Sequence, residues 1–170
     1  GVIHNDHFQW LENKSIEGVI HEKTTQLLNS NIFVNKQVND KIRYKIERSL
    51  EKNTSNKYFF GKDFNITNSE NGFIQYQDCL GEMVLPEPNI LGNHQLYNII
   101  TSIDACRKMF KVIDQDINKV ITKIELKGRL QELTSGKLKK ISGQNRLIID
   151  GGHNESSSIS ISNWIKQQNQ

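Results

Sequence analysis

Apolar residues recur at helical spacing between Ser15 and Leu28, where Ile16, Val19, Ile20, Leu27 and Leu28 share one face. A short apolar run, Ile32-Phe33-Val34, reads as a strand. Val38, Ile42, Ile46 and Leu50 then fall every four residues, with Lys, Arg and Glu between them, which predicts an amphipathic helix. Lys57 to Phe60 and Phe64 to Ile66 read as short strands. Phe73 to Gln77 partly alternates after the turn dipeptide Asn71-Gly72, and Leu80 to Leu85 is stopped by Pro86 and Pro88, so a hairpin or meander is expected. Gly92-Asn93 precedes a predicted helix from His94 to Phe110, with Leu96, Ile99, Ile100 and Ile103 inside. A second helix, Ile113 to Ile124, follows closely.

Beyond that point the pattern changes. Arg129 to Leu133 and Leu138 to Ile141 look like strands around Ser135-Gly136-Lys137. Arg146 to Asp150 is an apolar strand ending in Asp, Gly151 to Asn154 is a turn, and Ile159 to Lys166 is a helix. Strand, glycine turn and helix in that order open a parallel α/β unit. A boundary near Lys127 is therefore expected, dividing the chain into 1–126 and 127–170. At the other end, Gly1-Val2-Ile3 reads as the last part of a strand, which takes about five residues. The chain is thus expected to be a piece of something longer, although a processed terminus explains the same residues.

Composition narrows the classes only slightly. The 170 residues are 35% hydrophobic and 24% charged, polar for a globular chain but too rich in Ile, Leu, Val and Phe for disorder. No apolar run approaches the roughly 18 residues of a membrane span, and no secretory leader pattern opens the chain. Two cysteines, Cys79 and Cys106, cannot build a disulfide framework, so a reducing cytoplasm is expected. A net charge of +3 from dispersed Lys is weak footing for nucleic acid. A single alanine, Ala105, among many Ile, Asn and Lys points to drift in an AT-rich genome.

Five short segments have the residue types for chemistry. His4-Asn5-Asp6-His7 follows a strand end and has metal-ligating groups, or is a polar loop whose Asp and Asn cap a turn. Lys23 follows Glu22 and borders the buried face of the first helix, where a half-buried Lys can lose its proton, or it is a solvated Lys. Gly92-Asn93-His94-Gln95 opens a helix, with Asn93 as the natural N-cap, and a helix start also receives anions. Asn98, one turn later, sits opposite Ile100 and Ile103 and is expected to be exposed. Lys127-Gly128-Arg129 offers a flexible backbone and a planar fork for phosphate. Asp150-Gly151-Gly152-His153-Asn154 has a strand-end Asp where ribose hydroxyls are held, or is a glycine turn capped by Asn154.

In order and spacing these segments resemble the folylpolyglutamate synthase / dihydrofolate synthase family, relatives of the Mur ligases. Asp6-His7, Glu22-Lys23, His94-Gln95-Leu96-Tyr97-Asn98, Gly128-Arg129-Leu130-Gln131 and Asp150-Gly151-Gly152-His153-Asn154 carry the likeness across nearly the whole chain. The resemblance implies an α/β fold, with the end of a P-loop-type ATPase domain, the Mur ligase central domain, in 1–126. The first strands and helix of a Rossmann-like C-terminal domain then occupy 127–170. It implies a ligase that uses ATP and Mg2+ to phosphorylate a carboxylate of dihydropteroate or folate, after which the amine of glutamate displaces phosphate. By the same resemblance His7 is a magnesium ligand and Lys23 a carbamoylated lysine. Asn98 contacts adenine, Arg129 the ATP phosphates and Asp150 the ribose, with His153 beside the nucleotide.

The chain departs from the family pattern at Asn5, at Thr24-Thr25 after Lys23, at Lys127 and at Glu155. It contains no Gly-Lys-Ser/Thr, so a separate N-terminal, P-loop-bearing piece is the expected partner and the chain alone is expected to be inactive. The alternatives are a non-catalytic remnant of a split or degraded ligase gene, or a small basic nucleic-acid-binding module. No membrane or nucleic-acid partner is expected.

Overall fold

A computed structural model describes residues 2–3, 14–27 and 30–168. The first layer joins α1 (Ile16–Thr25), β1 (Ile32–Val34), α2 (Asp40–Ser49) and β2 (Lys57–Phe59). Ser15 Oγ accepts from the Gly18 N–H and Asn39 Oδ1 from the Ile42 N–H, so both helices start on a side-chain cap. β1 and β2 pair in parallel, Ile32 opposite Lys57 and Val34 opposite Phe59, with α2 as the crossover. Val19, Ile20, Ile32, Val34, Ile46, Leu50 and Phe59 bury their side chains together, and Ile3 joins them.

The second layer is an antiparallel meander, β3 (Phe64–Glu70), β4 (Phe73–Asp78) and β5 (Gly81–Pro86), covered by α3 (Asn93–Met109) and α4 (Asp114–Ile121). Asn71 and Gly72 have φ of 55° and 78°, the pair of positive angles that a two-residue type I′ hairpin turn needs. Along β4 the burial alternates, so Ile74, Tyr76 and Asp78 face inward while Phe73, Gln75 and Gln77 face water. Ile74 and Leu85 pack on Ile99, Ile100 and Ile103 of α3 and on Ile117 and Ile121 of α4.

A buried charge network fastens this sheet to α3. The Tyr76 hydroxyl lies 2.9 Å from Asp78 Oδ2 and 2.8 Å from Asp104 Oδ1. Arg107 donates to both oxygens of Asp78, and Lys108 pairs with Asp104. Burial by itself raises the Asp78 carboxyl, but hydrogen bonds from Arg107, the Leu80 N–H and Tyr76 outweigh it and hold its pKa below the ordinary value. At Asp104 burial wins over Lys108 and Tyr76, and the pKa rises. Burial and the two carboxylates push the Tyr76 phenol far up, so it stays protonated.

The last stretch holds β6 (Gln131–Glu132), α5 (Lys137–Ser142), β7 (Ile148–Ile149) and α6 (Glu155–Gln168). β6 and β7 pair antiparallel, Gln131 opposite Ile149. Leu130 is buried, while Leu138, Ile141, Ile149, Ile159 and Ile165 are exposed.

Several expectations change. Leu138 to Ile141 is helical, because the turn begins at Gly136 with φ 94° and β6 reaches β7 without it. The expected strand–turn–helix order appears as β7 and α6, but β7 pairs with β6 antiparallel, so no parallel pairing is formed among the described residues here. Val38 precedes the Asn39 cap and is 62% exposed, so it drops out of the α2 stripe. Val2 and Ile3 are not in a strand, although Ile3 is buried. Among the described residues, no helix is long and apolar enough to cross a membrane.

Candidate functional site

The site forms where the start of α3 meets two tight loops of residues 127–154. Gly92 occupies the N-cap position of α3 with φ 89°, and Asn93 is the first helical residue rather than the cap. A Cβ at Gly92 would stand 2.9 Å from both His94 Cε1 and Leu130 Cδ1, so only glycine lets these two side chains close together. Leu130 has φ 45°, and its N–H donates to Asp150 Oδ2 at 2.7 Å. The Gly152 N–H donates to Asp150 Oδ1 at 2.6 Å, and the Gly151 N–H donates to the Gly128 carbonyl at 2.7 Å. The Gly128-Arg129-Leu130 loop is thereby tied to the Asp150-Gly151-Gly152 turn. Each Asp150 oxygen accepts one backbone N–H, which leaves lone pairs on both.

Arg129 is exposed beside this turn. Burial holds the His94 pKa below its ordinary 6.5, with the Asp150 charge pulling it up and the Arg129 charge pushing it down, so all three groups share one electrostatic neighbourhood. His153 is exposed, with Nδ1 3.1 Å from the Gly151 carbonyl. Asn154 Oδ1 accepts from the Ser157 N–H at 2.9 Å and caps α6, as that turn predicted. A cleft of about 300 Å³ opens between Gly92, Asn93 and His94 on one wall and Ser160, Asn163 and Trp164 of α6 on the other.

Asn98 is exposed as expected, but it is held on both sides. Its Oδ1 accepts from Asn35 Nδ2 at 2.7 Å, and its Nδ2 donates to Gln95 Oε1 at 3.1 Å. Gln95 Nε2 lies 3.0 Å from His94 Nε2. Asn35 and Gln95 are 3% and 6% exposed, so two of the three amides in this chain, which runs from the end of β1 to the cleft, are buried. Sequence reasoning missed Asn35 and the part played by His94. The signal for Asn35 was its place directly after the apolar run Ile32–Val34, at the carboxyl end of a strand in a parallel pair.

The remaining candidates stand apart. Lys23 is exposed in the last turn of α1, not half-buried, because Val19 and Ile20 fill the helix's inner face. Among the described residues, the hydrogen bonds that link Asn98 to His94 through Gln95 and those that hold Asp150 do not extend to Lys23. His7 lies outside the described residues, as does the rest of the His4–His7 segment. Among the described residues there is no group of three His, Cys, Asp or Glu side chains placed to hold a metal ion.

No family model matches the sequence, and no curated protein matches it by sequence. Solved structures do match by fold. E. coli FolC in complex with ADP, without folate substrate, superposes with a TM-score of 0.78 and 21% identity over 98% of this chain and 37% of that one. The apo form of L. casei FPGS gives a TM-score of 0.68 and 18% identity, over 98% and 41%. Mycobacterium tuberculosis folylpolyglutamate synthase complexed with ADP and AMPPCP gives 0.74 and 16%, over 98% and 38%. The chain therefore spans about two fifths of the length of these structures, and across that length it has the mixed α/β fold of part of a folylpolyglutamate synthase.

Proposed function

We propose that this chain is the nucleotide-gripping part of an ATP-dependent ligase that joins glutamate to dihydropteroate or a folate. Residues 1–126 contribute the late part of the ATP-binding domain and 127–170 the opening of the C-terminal domain. One observation carries the reading: the charges of Asp150 and Arg129 act on His94, and Asn98 is linked to His94 through Gln95, in a fold matched to solved folylpolyglutamate synthases. Two of those proteins, from E. coli and Mycobacterium tuberculosis, are complexed with ADP, and the second also with AMPPCP.

The groups present suit a nucleotide. Asp150 has spare lone pairs on both oxygens for sugar hydroxyls, and its backbone partners fix its orientation. Arg129, free in solvent beside it, supplies a planar cationic fork for phosphate oxygens. The exposed edge of Asn98 pairs with the base, and His153 flanks the site. ATP, when bound, supplies the phosphoryl group that activates the acid. Magnesium accompanies the phosphates, with His7 as its proposed ligand. Lys23, proposed as a carbamoylated lysine, is a candidate whose exposed position weakens it. Positioning and charge neutralisation are what these residues contribute to phosphoryl transfer.

Co-expression with a polypeptide supplying the P-loop half tests the reading. The expected result is ATP-dependent addition of glutamate to dihydropteroate or folate, lowered at least about tenfold by Arg129→Gln or Asp150→Ala, the scale of losing one charged phosphate or sugar contact. A purified, stable complex without glutamate addition or ADP binding overturns it.

A further inference from the structure

The amide chain behind the cleft has a direction, set at one end by a group that can only donate. The Lys36 backbone N–H donates to Asn35 Oδ1 at 2.7 Å. That makes the other half of the Asn35 side chain, Nδ2, the group facing Asn98, and Nδ2 can only donate. Asn98 must then present Oδ1 to Asn35 and Nδ2 to Gln95 Oε1. Gln95 in turn faces His94 with its amino group, so His94 Nε2 must accept and the ring proton sits on Nδ1. Gln37 steadies the start of the chain, donating from Nε2 to the Asn35 carbonyl at 2.8 Å and accepting the Ile3 N–H at 2.9 Å.

We infer that Asn35 is a positioning residue: through this relay it fixes the amide orientation of Asn98 and the tautomer of His94. The consequence for ligands rests on the nucleotide reading above. An Asn amide in fixed order meets the neighbouring donor and acceptor of an adenine edge, its amino group and a ring nitrogen, whereas guanine offers two acceptors at the corresponding major-groove edge. A reversed amide puts donor against donor and acceptor against acceptor on a base held by the rest of its nucleotide. Asn35 thus selects adenine without touching it.

Asn35→Asp tests this with almost no change of shape. A carboxylate accepts at both oxygens, so Asn98 must turn its Nδ2 toward residue 35, Gln95 must turn over, and His94 must donate from Nε2. Nitrogen-15 NMR of the histidine ring in the full 170-residue chain, at about pH 8 where imidazole is neutral, reads the tautomer directly. The expected result is Nδ1–H in the parent and Nε2–H in the variant. In complex with the P-loop half, the ratio of ADP to GDP affinity should fall at least about fivefold, the lower end of what one bidentate base contact is worth. An unchanged tautomer in a folded Asn35→Asp chain overturns the relay. If that variant does not fold, Gln95→Glu makes the same demand on His94, and an unchanged tautomer there overturns it equally. Tautomer reversal with no ADP binding by either protein, each in complex with the P-loop half, supports the relay and removes the nucleotide reading.

Discussion

Lys108→Met probes the charge network under the meander. In the parent, Asp78 and Asp104 face Arg107 and Lys108, two charges of each sign, and both carboxylates have side chains with no exposure. Lys108 Nζ pairs with Asp104 and lies 3.7 Å from Asp78. Methionine fills much of the same volume but takes away the charge. Asp78 keeps Arg107; Asp104 keeps only the Tyr76 hydroxyl on Oδ1, and its Oδ2 has no hydrogen-bond partner already. Removing one member of such a buried pair costs about 3–5 kcal/mol. The carboxyl left behind, already raised by burial, must rise further. Its folded-state pKa then lies well above its unfolded value, so the folded chain binds the extra proton and stability falls as pH climbs between the two. The loss measured at pH 7 should therefore shrink at pH 5, by up to about 1.4 kcal/mol per pH unit. Urea unfolding followed by circular dichroism at both pH values measures it, and Asp104→Asn added to Lys108→Met should recover much of the loss. Equal destabilisation at the two pH values, with no recovery from Asp104→Asn, would refute the reasoning.

Two further outcomes are expected. Gly92→Ala should lower stability by about 1–3 kcal/mol, because alanine meets a φ of 89° and two side-chain atoms at 2.9 Å; thermal melting checks this, and a neutral result would mean that α3 restarts one residue later. Leu138→Lys with Ile141→Lys should reduce self-association in light scattering without lowering the melting temperature, since these side chains are 62% and 83% exposed.

The helices α1 to α4 and the meander were legible because each is governed by local rules. Apolar spacing and Asn71-Gly72 as a turn act within a few residues of where they stand, as do the caps at Ser15 and Asn39, which the spacing alone did not single out. Leu138 to Ile141 was misread for the same reason in reverse: four residues fit a strand and a helical turn equally, and Gly136 together with the β6–β7 pairing decides between them. Asp104 shows the limit on the charged side. Its neighbours Ile100 and Ile103 place it on the buried face of α3, but the partners that make it tolerable, Tyr76 from β4 and Lys108 one turn on, come together only on folding.

The site divides along the same line. Arg129 and Asp150 were chosen from residue type, since a glycine-flanked Arg and a strand-end Asp are each suited to nucleotides one by one, whereas Asn98, expected only to be exposed, was singled out by the family resemblance. Their convergence on His94, and the descent of that arrangement from Asn35, 63 residues before Asn98, depend on hydrogen bonds between distant segments. Sequence alone determined the local elements and the chemical vocabulary of this protein. Tertiary structure decided which groups meet, because burial and direction of a hydrogen bond are properties of packed neighbours and not of spacing.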